Sequence, residues 1–123
     1  MRYLLLIYTN PTTRPSLTKE QNDALSNDYW TFTKEITASG EMVGGEALTG
    51  VDTASTVRVR DGKAGITDGP FAETKEHLAG YYLVDVKDLD RALELAAKIP
   101  DVAFGSVEVR PIMDMGDAAD ASM

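Results

Sequence analysis

Asp68-Gly69-Pro70-Phe71-Ala72-Glu73-Thr74-Lys75-Glu76 runs straight into His77-Leu78-Ala79-Gly80-Tyr81-Tyr82-Leu83-Val84-Asp85-Val86. The first half opens on a turn: Asp can bond nearby backbone, Gly is free to take positive φ, and Pro fixes its own φ. The second half reads as the longest strand of the chain. Its Leu78, Tyr82, Val84 and Val86 are expected on one face, and Ala79, Tyr81 and Leu83 on the other. Both faces are therefore apolar, so the strand belongs inside a sheet with something packed over each side.

Working outward, residues 2–8 form another continuous apolar run, expected as a central strand. Asn10-Pro11 and Arg14-Pro15 make a stiff loop. A helix is expected from Thr18 to about residue 39. Thr18 and Gln21 supply a capping box, and Leu25, Tyr29, Phe32 and Ile36 line one face. Residues 41–48 read as a weaker strand whose Gly44-Gly45 pair suggests a bulge or a close backbone approach. Residues 55–60 alternate, with Val57 and Val59 expected to face in and Arg58 and Arg60 out. Asp61-Gly62 turns the chain into a hairpin returning over 63–67. Asp88 caps a second helix, 89–99, with a stripe of Leu89, Leu93, Ala96 and Ile99. Residues 106–113 form a last strand. The order is that of a ferredoxin-like α+β fold, βαββαβ, with an extra β-hairpin. Two helices cover only one face of such a sheet. A second copy packed sheet to sheet, near ~10 Å, would cover the other, giving a homodimer of the dimeric α+β barrel type.

At 123 residues the chain holds one domain, 1–113, with an acidic tail over 114–123 expected to be disordered. It contains no cysteine, which removes disulfides, thiolate metal sites and cysteine nucleophiles. The apolar run at the start is too short for a signal-peptide core, and no segment is long enough for a membrane helix, so a cytoplasmic protein without membrane contact is expected. The formal net charge of −8 opposes direct nucleic-acid binding. Arg58, Arg60 and Lys63 read as a solvated hairpin face rather than a phosphate track.

The candidate chemical groups cluster around the opening stretch. Asp68 reads either as a catalytic carboxylate at a strand end or as the first residue of the turn, bonding backbone N–H groups. If 73–77 is extended, Glu73, Lys75 and His77 share a side. His77 is the only histidine, and with a carboxylate partner it could move protons near neutrality. Phe71 either walls a pocket or plugs the end of the core. Trp30, at the edge of the first helix stripe, is a second pocket-lining candidate. Arg58 could hold an anionic group, or could join Arg60, Glu108 and Arg110 in an ion-pair ladder. A lone histidine and sparse carboxylates make no metal set, so neither metal nor cofactor is expected.

The chain resembles the YCII-related superfamily, in particular the branch named for its DGPF motif. The matching residues are Tyr3 to Tyr8, Gly45 to Leu48, Thr56 to Gly62, Asp68 to Glu76, Gly80 to Val86 and Gly105 to Pro111. The resemblance implies a ferredoxin-like fold and a dimeric α+β barrel. It also implies one of two roles. Members of the superfamily include a dehydrochlorinase acting on a chlorinated aromatic intermediate, and enzymatic members are associated with a histidine and an aspartate. Members of the DGPF branch occur fused to, or beside, extracytoplasmic-function sigma factors. The superfamily's histidine falls on the first helix, and helix 18–39 has none here, so His77 does not inherit that role. The two expectations are a small-molecule-binding or regulatory module linked to a sigma factor, and a cofactor-independent lyase or isomerase using Asp68 and His77. Phe71, Glu73, Lys75, Trp30 and Arg58 would line the substrate site.

Overall fold

β1 (Arg2–Thr9) and β5 (His77–Asp85) lie side by side at the centre of an antiparallel four-stranded sheet. β2 (Met42–Ala47) flanks β5 and β6 (Ser106–Pro111) flanks β1, giving the order β2-β5-β1-β6. α1 (Lys19–Ala38) and α2 (Leu89–Lys98) pack on one face. β3 (Ser55–Arg60) and β4 (Lys63–Asp68) form a separate two-stranded hairpin inserted between β2 and β5. This is a ferredoxin-like α+β fold with an added hairpin. It is seen in a computed structural model that describes residues 1–72 and 74–114. Glu73 and the end of the expected acidic tail, 115–123, lie outside the described residues.

Strand alternation builds the core. Tyr3, Leu5 and Ile7 of β1 and Tyr82 and Val84 of β5 are buried against Phe32 and Ile36 of α1 and Ala92, Leu95 and Ala96 of α2. The Phe32 and Tyr82 rings meet edge to face, 5.2 Å between centroids. Leu4, Leu6, Tyr8, Tyr81 and Leu83 alternate to the other face and are half-buried there.

The helix ends follow local chemistry. The Thr18 hydroxyl accepts from Gln21 N (3.1 Å) while the Gln21 side chain accepts from Thr18 N (2.9 Å), completing the capping box. Asp88 accepts from Arg91 N at 2.9 Å. Asp61 and Gly62 both take positive φ, 53° and 75°, the turn a two-residue hairpin needs.

Four expectations need correction. The buried stripe of α2 is Ala92, Leu95 and Ala96, continued by Ile99, an i, i+3, i+4, i+7 face; Leu89 and Leu93 are exposed, because this face and not the expected one is turned to the sheet. Val57 and Val59 share a face with Ile66 through the hairpin register, but that face is open, with exposures of 62%, 59% and 72%. The hairpin therefore stands off the core rather than closing it. The ion-pair ladder does not form, since β3 pairs with β4 and β6 pairs with β1. The fourth concerns Leu78. Pairing of β1 with β5 slips from Ile7↔Gly80 to Tyr8↔Leu78, so Ala79 is an extra residue and Leu78 leaves the core face to sit opposite Tyr8.

Candidate functional site

The bulge at Ala79 shapes the end of the sheet. The Ala79 carbonyl, out of step with β1, accepts from Leu48 N at 2.8 Å and so pins the chain leaving β2. That chain continues through Gly50–Ala54 and enters the hairpin. Beyond the hairpin, residues 69–72 and 74–76 lead back to β5. Sheet end, post-β2 loop and returning segment enclose a cleft of about 1250 Å³. Tyr8, His77, Leu78 and Glu108 line it from the sheet. Leu48, Val51 and Phe71 give it apolar walls, and Thr49, Ser55 and Thr74 supply hydroxyls.

The turn at Gly69 holds this wall in place. Gly69 has φ of +100°, in the region that glycine tolerates and other residues resist. Its N–H donates to Ala54 O (2.6 Å), and its carbonyl accepts from the Thr56 hydroxyl (2.8 Å). Arg58 Nη2 donates to the Phe71 carbonyl at 2.9 Å. The segment is thus tied to the base of the hairpin by backbone groups. The Asp68 carboxylate has no hydrogen-bond partner among the described residues, so the turn does not depend on it as expected from the sequence.

The expected site residues separate. His77, the first residue of β5, is half-buried on the cleft. Phe71 lines the cleft and is 77% exposed, so it walls an opening rather than plugging the core. Asp68 ends β4, exposed and off the cleft lining. Lys75 is exposed in a bend and the strand begins only at His77, while Glu73 lies outside the described residues. Trp30 is 64% exposed on α1, away from the cleft. Arg58 points to the Phe71 backbone. The cleft also brings in Tyr8, Glu76 and Glu108. Among the described residues no group of three or more histidine, cysteine, aspartate or glutamate side chains could hold a metal ion.

A second polar cluster was not anticipated. Asp101, in the turn Pro100–Ala103 after α2, is 7% exposed. The Tyr29 hydroxyl donates to its Oδ2 at 2.6 Å. Arg14 Nη2 lies 3.2 Å from Oδ1, an ion pair without the directionality of a hydrogen bond, which leaves Oδ1 otherwise unpartnered. Burial, reinforced by the bond to Asp101, pushes the Tyr29 phenol far above its usual value. A third contact is bidentate: Arg91 Nε and Nη2 donate to the two Glu41 oxygens, both at 2.9 Å. That fork holds the Glu41 carboxyl below its usual range.

Fold and cleft define a ferredoxin-like α+β domain with an open site at one end of its sheet. The chain belongs to the YCII-related family: the family's domain matches residues 1–116. It is also similar to an uncharacterised protein of Rhizobium meliloti (strain 1021), 33% identical over 114 residues, covering 91% of this chain and 92% of that one. Among the described residues no helix is long and apolar enough to cross a membrane.

Proposed function

We propose that this protein is a member of the DGPF branch of the family, a reading its Asp68–Phe71 motif supports, and that it is a small-molecule-binding module that acts as a homodimer. The observation that carries the binding function is the cleft at the sheet end: mostly apolar walls, a few convergent polar groups and one imidazole, the usual make-up of a ligand site. A lyase or isomerase would need an acid–base pair on reacting atoms. Asp68 and His77 do not share the cleft, so binding is favoured over catalysis. Regulation through a sigma factor would be the output of such binding and rests on the family resemblance.

Two bare apolar surfaces support the dimer. The sheet face away from the helices carries Leu4, Leu6, Tyr81 and Leu83. The hairpin exposes Val57, Val59 and Ile66 on one side. A lone two-stranded hairpin is marginal in water, so its apolar side calls for a partner. A second copy brings the same surfaces in a self-complementary arrangement.

The binding test uses the single histidine. Benzyl alcohol, a neutral probe with an apolar body, is titrated into the full chain while the His77 ring resonances are followed by NMR. Saturable shifts, lost in a Leu48→Trp variant that fills the cleft from an exposed position, are expected. No shift up to the solubility of the probe would refute the binding reading.

A further inference from the structure

The charges around the cleft say which ligand class it suits, an inference that rests on the binding reading above. We propose that the cleft takes a small apolar molecule carrying a cationic amine. The ionisable side chains on its lining are Tyr8, Glu76, His77 and Glu108. Neither lysine nor arginine is among the lining residues, and Glu73 and 115–123, outside the described set, contain none. Neither glutamate carboxylate has an ion-pair partner among the described residues, so a bound cation displaces no existing pair. Arg58 donates to the Phe71 carbonyl and its side chain is not part of the lining.

The walls fit the rest of such a ligand. Leu48, Val51 and Leu78 can cover a hydrocarbon body. Tyr8 and Phe71 bring ring faces that attract an ammonium group. The Thr49 and Thr53 hydroxyls already bond each other (2.7 Å), and Thr53 also donates to Gly50 O (2.6 Å), so these donors are not free to recognise an anion. The net charge of −8 raises the local concentration of cations over anions.

The test compares benzylamine, benzyl alcohol and benzoate, matched in size, on the full chain at neutral pH and low salt, read by the His77 ring resonances. Benzylamine is expected to bind roughly five- to tenfold more tightly than benzoate, with benzyl alcohol between them. A double variant, Glu76→Gln with Glu108→Gln, should erase this order; both glutamates are exposed, so the fold should survive. Benzoate binding as tightly as benzylamine would overturn the charge assignment and leave the cleft reading standing. An unchanged preference in the double variant would do the same. Failure of all three probes would overturn the cleft reading, and this inference with it.

Discussion

Replacing Asp101 with alanine tests whether the buried cluster holds the end of α2 to α1. The carboxylate accepts a 2.6 Å bond from Tyr29 and faces Arg14 at 3.2 Å. Losing a hydrogen bond to a charged group costs about 1.5–3 kcal/mol. A hydroxyl stranded at the half-buried Tyr29 adds about 1 kcal/mol. The sum is about 3 kcal/mol, and for a chain of this size that lowers Tm by roughly 12 °C. Tyr29→Phe should cost about 2 kcal/mol, since it leaves the buried carboxylate with Arg14 alone. The double variant should cost less than the sum of the two by about 1–2 kcal/mol, because both single changes break the same bond. Urea or thermal unfolding at one fixed protein concentration gives the numbers; fixing it matters because self-association would contribute to apparent stability. An independent readout is alkaline titration of the five tyrosines, in which Tyr29 should ionise only as the protein unfolds. The raised folded-state value makes its contribution present below the ordinary tyrosine pKa and lost as pH rises. A cost below about 0.5 kcal/mol for Asp101→Ala, or strict additivity in the double variant, would refute this reasoning.

Further outcomes follow from single contacts. A Cβ at Gly105 would lie 2.1 Å from the Tyr8 carbonyl oxygen, so Gly105→Ala should cost about 3 kcal/mol or more and move Tyr8 in the cleft; a neutral result by urea unfolding would show that β6 can shift freely. Glu41 has a lowered folded-state pKa, so its contribution is present above its ordinary value of 4.5 and lost as pH falls; Glu41→Gln should flatten the fall of the urea midpoint in acid, and an unchanged slope would argue against the Arg91 fork. Ile66→Asp places a charge on the hairpin's apolar side. It should raise the dimer dissociation constant at least tenfold in sedimentation equilibrium, and a wild-type chain that is monomeric at micromolar concentration would sink the dimer itself.

Local rules made much of the fold readable. The Thr18–Gln21 box, the Asp88 cap and the Asp61-Gly62 turn act within a few residues, and each stands where the sequence put it. The double-sided strand 77–86 likewise marked the sheet centre. What escaped depended on partners distant in sequence. The extra residue Ala79 shows only against β1, and it sends Leu78 to the cleft instead of the core. Two faces of α2 fit helical spacing, one through Leu89 and Leu93 and one through Ala92 and Leu95, and only packing on the sheet selects the second. The hairpin alternates as a half-buried strand should, yet nothing in its own residues says it leaves the main sheet. At the site, His77 and Phe71 were legible as single groups. Their grouping with Tyr8 and Glu108 was not, because it rests on the pairing of β1 with β5 and β6 and on the turn at Gly69. The Arg14–Asp101–Tyr29 cluster joins three segments that carry no shared motif.

The most direct measurement is the location of a bound neutral probe. Intermolecular nuclear Overhauser contacts from benzyl alcohol to the methyl groups of Leu48, Val51 and Leu78 are expected if the cleft is the ligand site. Contacts confined to Val57, Val59 and Ile66 on the hairpin, or none at a concentration that saturates the His77 shift, would contradict it.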